Sequence, residues 1–357
     1  MKETSNKAGV LAKCFLVSAI SLIVMFALIE LYFRIFNPQP IRPAFYKYDP
    51  VYGIKMISNI KGYVKEAECN YKFSLNSKGF RDDERPVLKA SNNIYRIIVL
   101  GDSFAWGCGV EQDEVFVKLL EKMLNSDKPD ARYEVFNMGI NSWGTAQELL
   151  CLKNEALAYK PDLVILEYFK GNDLTDNLYS SLFKLDSIGN LMPAEYRKQN
   201  LIWIKRITED MPFYYFFTQH SYFVNYIRIR LLQKVKDGDV KNINAVLPAD
   251  FTSYGLKLTK AILEEFFLEV QKNKSKALLL VIPDKNKRAD NSLQDAMLID
   301  VCRRNNVPLL EVSGIFARED SALVYYDVDF HLRPYGHELI AKSVYNFMRY
   351  FKTDRDR

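Results

Sequence analysis

Read as a pattern of apolar and polar positions, the chain falls into an apolar start, a short irregular stretch and a long regular alternation. The start is the simplest. Sixteen residues from Cys14 to Ile29 (CFLVSAISLIVMFALI) carry no charge, and Val10–Ala12 and Leu31–Phe33 extend the run at either end. About 20 such residues cross a bilayer as a helix. Lys13 and Glu30 stand near the ends, where long side chains reach headgroups. No small-residue cleavage site follows in ALIELYFRIF, so an uncleaved anchor fits better than a removed signal peptide. Residues 37–51 hold Pro38, Pro40, Pro43 and Pro50 and predict an extended tether. Residues 52–92 alternate briefly (YKFSLNS) and predict a small strand-rich lead-in.

The alternation begins at residue 93. Short apolar runs at 95–101, 133–139, 162–169, 276–283 and 307–313 predict five strands. Helical spacing at 115–126, 145–159, 256–273, 292–306 and 336–351 predicts the helices between and after them. Strands that alternate with helices imply a parallel sheet covered on both faces. The pattern is interrupted from about 174 to 255, too long a stretch for a plain loop. Within it, residues 211–237 are dense in aromatics and then basic. They predict a largely helical insertion that packs on the domain, covers the active site or lies on a membrane surface. The organisation is therefore a tail and anchor (1–36), a tether and lead-in (37–92) and a main domain (93–357) with an insertion (174–255).

Composition narrows the function. Hydrophobic residues make up 48% and charged residues 26% of 357, so most of the chain has material for a packed core. A net charge of +5 with scattered Lys and Arg speaks against nucleic-acid binding. The cysteines at 14, 69, 108, 151 and 302 form no CxxC, and no Cys/His cluster has zinc spacing; a structural metal is not expected. Lys2, Lys7 and Lys13 precede the apolar run and Arg34, Arg42 and Lys47 follow it, so charge bias alone does not orient it. We expect a short cytoplasmic tail with the bulk of the chain outside.

In a doubly wound sheet, sites form at the carboxyl ends of strands. Ser103 follows the first strand in GDSF, in a turn able to present its hydroxyl; the same turn is also an ordinary helix cap. Gly139 follows the second, where a bare backbone N–H can approach a substrate oxygen. Asn172 follows the third in KGND, where its amide can donate to an oxyanion. Asp329 and His331 precede the last helix in DFHLRPYGH, two residues apart, so a turn can set the carboxylate on the imidazole. Asp327 is the alternative acid. His337 reads as structural and His220 as packed within the insertion. Asp102 and Asp173 read as turn-holding residues and Cys108 as packing. Trp106, Trp143 and Tyr168 either wall a cleft or stack on a sugar. Together the pieces meet the requirements for acyl transfer.

In order and spacing, GDSF, Gly139, GND and D-x-H resemble the four blocks of the SGNH (GDSL-like) hydrolases, over about 93–173 and 256–351. The resemblance implies a three-layer α/β/α, flavodoxin-like fold with a five-stranded parallel sheet. It implies Ser103 as nucleophile, His331 as base, Asp329 as its orienting acid, and an oxyanion hole from the N–H groups of Ser103 and Gly139 with the Asn172 side chain. No metal or cofactor is implied. Ala105 breaks the G-x-S-x-G elbow of ordinary α/β-hydrolases. Two departures stand out: Lys170 replaces the leading Gly of block three, and the acid lies two residues before the His rather than three. The D-x-H form resembles that of membrane-associated members acting on cell-surface saccharides. The expected substrate is a small acyl ester, such as acetyl on an envelope saccharide. The alternatives are O-acyl transfer with a membrane partner from envelope polysaccharide machinery, or saccharide binding without catalysis.

Overall fold

The computed structural model describes residues 2–91, 93–127, 132–194, 213–244, 250–285 and 292–350. Helix α1 (Lys2–Phe36) contains the apolar run, and its membrane-length segment, Gly9–Phe36, has no buried share in its most apolar window. The lead-in forms two hairpins: β1 (Tyr46–Asp49) with β2 (Gly53–Met56), and β3 (Lys61–Lys65) with β4 (Asn70–Ser74). The proline-rich stretch is not a free tether. Ile41 pairs with Lys65 through two backbone hydrogen bonds (2.9 and 3.0 Å), and Ile41, Ala44 and Phe45 are buried. The prolines remove donors, but apolar residues between them find the core.

The main domain then runs β5 (Ile94–Leu100), α2 (Ser103–Trp106), α3 (Phe116–Asp127), β6 (Arg132–Asn137), α4 (Thr145–Asn154), β7 (Leu163–Phe169) and α5 (Asp173–Ser180). The insertion holds a small hairpin, β8 (Phe183–Leu185) with β9 (Leu191–Pro193), then α6 (Tyr214–His220) and α7 (Tyr222–Asn244); residues 195–212 lie outside the described residues. The chain continues through α8 (Phe251–Lys272), β10 (Lys276–Ile282), α9 (Ser292–Arg304), β11 (Leu309–Glu311), the short α10 (Ser313–Phe316) and α11 (Ser321–Val324), and ends on α12 (Pro334–Tyr350).

Five strands form one parallel sheet in the order β11-β10-β7-β5-β6. Counted along this sheet alone, the order is 2-1-3-4-5, the flavodoxin-like arrangement, whose direction of winding reverses between β5 and β7. Alternate residues of one strand enter opposite cores. Ile98, Leu100, Val164, Leu166, Leu279 and Val281 pack with α4, α8 and α9 on one face. Ile97, Val99, Ile165, Leu278, Leu280 and Ile282 pack with α3 and α12 on the other. This two-sided burial is why the strand sequences read as continuous apolar runs rather than alternations. The helices bury one stripe each: Leu258, Ile262, Leu263, Phe266, Phe267 and Val270 of α8 recur at the 3.6-residue period.

Three boundaries differ from the sequence pattern. The edge strand β11 keeps only Leu309–Glu311, the residues that pair with Leu279–Val281 of β10. The helix expected over 145–159 ends at Asn154 and is followed by a tight turn to Lys160, whose positive φ of 51° precedes Pro161. The last helix starts at Pro334, since proline suits the first helical position. All five cysteines are free thiols.

Arg96 locks the end of the sheet away from the site. Its buried guanidinium donates to Glu134 (2.8 Å) and to the carbonyls of Tyr159, Val87, Pro86 and Leu88, tying the lead-in to β5 and β6. Arg96→Ala leaves the Glu134 carboxylate buried without its partner and is expected to cost about 3–5 kcal/mol in urea denaturation. A cost below about 1 kcal/mol would show that the cluster is not a structural anchor.

Candidate active site

Strand β5 ends at Gly101, and Asp102 turns the chain into a helix of one turn. The Asp102 carboxylate accepts the Phe104 N–H (2.8 Å), capping that helix. Gly107 closes it at φ +86°, its N–H donating to the Ser103 carbonyl (3.0 Å). A side chain at 107 would also strike Val115, so only glycine fits. Ser103 thereby sits at the first helical position, at the carboxyl end of a central strand, where the winding reverses.

His331 comes from the other side. The loop between α11 and α12 folds back on itself, with the Tyr326 N–H donating to the His331 carbonyl (3.0 Å). His331 Nε2 lies 2.8 Å from Ser103 Oγ, and His331 Nδ1 is hydrogen-bonded to Asp329 Oδ1. Asp329 also accepts the His331 backbone N–H (3.1 Å). Burial pushes the Asp329 carboxyl up, but His331 and the Arg42 charge outweigh it and hold the carboxyl below its ordinary value. Asp327 instead faces Lys285 and Arg333, at 3.7 and 3.9 Å. The structure therefore brings Ser103, His331 and Asp329 into one relay.

The three expected oxyanion donors are placed differently. The Ser103 N–H has no hydrogen-bond partner among the described residues. Asn172 Nδ2 gives one hydrogen to Asp102 Oδ2 (3.0 Å) and keeps its second. The Gly139 N–H is engaged by Asn137 Oδ1 (3.0 Å). What position 139 demands is space: a Cβ there would lie 2.6 Å from both Ala105 Cβ and Trp106 N. Asn137, whose Nδ2 donates to the Ala105 carbonyl (2.8 Å), pins this loop to the serine helix. Sequence reasoning passed over Asn137, although a polar residue inside a buried strand run was a signal.

Glu68 was missed for a better reason. It lies in the β3–β4 turn, more than 250 positions before the loop it holds. Its carboxylate accepts the N–H groups of Asp327, Val328 and Asp329 at 2.9, 2.7 and 2.8 Å, and those bonds hold it below its ordinary value. Lys170, the departure in block three, points away from the site: its Nζ lies 2.6 Å from Asp295 and 2.5 Å from Glu311, tying β7 to α9 and β11. His337 is a core residue. It stacks on Phe116 and accepts that residue's N–H (3.4 Å), and burial pushes it down to about 3.

Trp106, Trp143 and Tyr168 do not offer faces for a sugar. All three are fully buried: Trp106 stacks on Phe45, Trp143 donates to the Ile54 carbonyl (2.9 Å), and the Tyr168 hydroxyl accepts from Gln294 (2.7 Å). The exposed aromatic beside the relay is Phe330, stacked on His331 at 4.6 Å. His331 and Asp329 line a cleft of about 660 Å³ whose other walls are the lead-in (Arg42, Tyr46, Glu66, Tyr71) and α7 (Arg228, Leu232).

Behind Asp102 lies a group of buried carboxyls. Glu167 accepts the Asp102 N–H (3.1 Å), Asp173 accepts the N–H groups of Thr145 and Phe169, and neither Glu148 oxygen has a partner among the described residues. Burial first, and mutual repulsion second, push Glu148, Glu167 and Asp173 well above the ordinary carboxyl range.

No family model matches the sequence, and no curated protein matches it. Solved structures do share its outline. It is similar to a two-domain esterase (CEX) active on acetylated mannans, at 14% identity and a TM-score of 0.42 over 73% of this chain. The match spans only 50% of that esterase. It is similar to the psychrotrophic esterase EstA from Pseudoalteromonas sp., at 14% identity and a TM-score of 0.42 over 72% of this chain and 97% of that one. An acetylxylan esterase from Geobacillus stearothermophilus, solved as a catalytic mutant, matches at 14% identity and a TM-score of 0.42 over 71% of this chain and 93% of that one. These likenesses are too distant to assign an activity, and the functional reading rests on the geometry above.

Because the folded Glu148 carboxyl holds its proton above the ordinary value of 4.5, its contribution to stability is complete below 4.5 and is lost as pH rises toward the folded value. Glu148→Gln removes that loss. Urea denaturation across pH 5–8 is expected to show a flatter decline for the variant and a variant more stable than the parent at pH 8. Parallel declines would mean that Glu148 is ionised in the fold.

Proposed function

We propose that the chain is a membrane-anchored serine hydrolase of the SGNH type that cleaves small acyl esters, with acetylated envelope saccharides as the substrate class. The observation that carries this reading is the continuous relay from Asp329 through His331 to Ser103, set at the point where the sheet reverses. His331 Nε2 takes the Ser103 proton as Oγ attacks the ester carbonyl. Asp329 holds the imidazole in the tautomer that leaves Nε2 free to accept, and it stabilises the imidazolium that forms. The Ser103 N–H and the free hydrogen of Asn172 are the donors nearest to the developing oxyanion. The Gly139 N–H joins them only by turning from Asn137. His331 then protonates the leaving alcohol, and water, activated by the same imidazole, releases the acid. No step calls for a metal or cofactor.

The exposed apolar helix α1 supports the anchor; in this reading residues 37–357 lie on the extracytoplasmic side. Nearby Phe330 and the aromatic cleft wall support a substrate with an apolar acyl or sugar face.

The full-length protein in detergent is expected to react with a fluorophosphonate probe, while Ser103→Ala and His331→Ala are expected to be blank. A folded parent that fails to react would overturn the hydrolase reading. Asp329→Asn is expected to lower acetate release from acetylated saccharides by about 10³–10⁴-fold. Glu68→Ala, which frees the base-bearing loop without removing any side chain of the relay, is expected to lower kcat/KM about ten- to a hundredfold with little loss of stability. An unchanged rate would remove Glu68 from the site's support.

A further inference from the structure

The reaction leaves α6 and α7 without a purpose beyond one cleft wall, yet they are tied closely to α1. Glu30 of α1 accepts the Ser221 hydroxyl (2.7 Å) and the N–H groups of Tyr222 and Phe223 (both 3.1 Å), so a carboxylate from the anchor caps the start of α7. Arg34 donates to the His220 carbonyl (2.6 Å). The Phe26 ring meets Phe217 and Phe223 at 6.3 and 5.9 Å, and Phe33 meets Tyr226 at 4.9 Å. These contacts fall on the last turns of the apolar run.

These helices and the residue that opens them expose several apolar side chains. Phe213, Phe216 and Phe217 are 74%, 54% and 41% exposed, and Ile227 and Leu231 are 43% and 57% exposed. Phe26, which meets Phe217 and Phe223, lies one turn after Leu22 and Ile23 of α1, which are likewise 60% and 68% exposed. One solvent therefore has to suit both surfaces. The polar groups beside the patch are those of an interface: Arg34 and Lys65 lie over the Tyr222 ring at 5.3 and 5.6 Å, and Arg230 over the Tyr226 ring at 5.3 Å. Aromatic rings with Arg and Lys are the residues that sit at headgroup level and meet anionic lipid.

Depth agrees. A hydrocarbon core of about 30 Å takes up roughly 20 residues of helix, so a span that begins near residue 10 ends near Phe26–Glu30. Phe217 is level with Phe26, at the edge of that layer, and the Glu30 cap and Arg34 lie one to two turns further out. From its capped start, α7 reaches Arg228 and Leu232 in the cleft wall after about 10–15 Å.

We propose that α6 and the outer face of α7 lie in the headgroup layer of the bilayer that α1 crosses, so that the cleft holding His331 opens at the membrane surface and draws its ester from molecules held there. The proposal rests on the reading of α1 as a membrane span. Helix α7 then serves as membrane rest and cleft wall at once.

The test uses the full-length chain with Cys14→Ser, reconstituted in vesicles of phosphatidylethanolamine and phosphatidylglycerol. The four remaining cysteines are buried and stay unlabelled in the folded protein. Single environment-sensitive fluorophores are placed through Phe216→Cys and Leu231→Cys, with Ile20→Cys in α1 and Ile188→Cys in the 82% exposed β8–β9 turn as references. Nitroxide lipids labelled at the headgroup or deep in the acyl chain report position. Headgroup nitroxides are expected to remove most of the emission at 216 and 231, deep nitroxides that at 20, and neither that at 188. If 20 is quenched while 216 or 231 behaves like 188, the proposal is wrong and the anchor stands. If 20 is also unquenched, the anchor reading fails and takes the proposal with it.

Discussion

The arrangement of the site depends on one buried carboxylate. Asp102 accepts from the Phe104 N–H and from Asn172 Nδ2, and its own N–H donates to Glu167. The first bond starts the helix that carries Ser103. The other two join the end of β5 to the end of β7, across the crevice where the sheet changes direction. Without Asp102, Ser103 and the Asn172 amide would belong to two independently moving loops. Such a group is costly to bury as an ion. The neighbouring carboxyls Glu148, Glu167 and Asp173 respond by holding their protons, so the region does not accumulate charge that the fold cannot solvate. A protonated carboxyl also turns from a pure acceptor into a donor, which suits a cluster short of N–H groups.

His331 arrives by a different route. It stands on a loop held both by the main domain, through Lys285 and the Tyr325 and Tyr326 hydroxyls, and by the lead-in. Glu68 gathers three consecutive N–H groups of that loop, and Asp329, the third of these residues, turns its carboxylate onto the imidazole. The lead-in, which supplies no member of the relay, thus acts as its clamp. It also fills the space over Trp106 with Phe45, Tyr71 and Phe73, sealing the floor beneath Ser103. Lys170 shows the same economy on the third strand: it joins β7 to the weakly paired edge strand β11 and leaves Asn172 to face the site.

The N-terminal helix and the insertion give these parts an orientation. Capping of α7 by Glu30 couples α1 to the wall of the cleft through a few short hydrogen bonds. Rotation of the domain about α1 would break them, so the cleft keeps a constant bearing on α1.

How much of this was legible in the sequence follows from the range of the interactions. The strand runs, the helical stripes, the turn around Ser103 and the Asp329–His331 pair were readable, because two-sided burial, 3.6-residue periodicity and turn geometry act over a few neighbouring residues. The order of strands and the reversal that places Ser103 beside Asn172 followed only as an expectation from the alternation and the motif order. The rest was decided by tertiary structure. Trp106, Trp143 and Tyr168 stand next to site residues in the chain, yet all point into cores, because strand and helix directions rather than sequence proximity set where a ring goes. Ile41 and Phe45 turned a proline-rich stretch into packed structure because apolar area outweighed the missing donors. Glu68 acts on backbone groups of a loop far away in the chain, which leaves no mark in a residue pattern; Asn137 stood out as a polar residue in a strand run, but its partners at Gly139 and Ala105 emerge only in the fold. Glu148 holds its proton above the ordinary range because the fold buries it and, secondarily, brings Asp173, Asp102 and Asp176 near it. The sequence by itself determined which chemistry the chain can carry; the tertiary structure decided which side chains face it, since that depends on contacts between segments hundreds of residues apart.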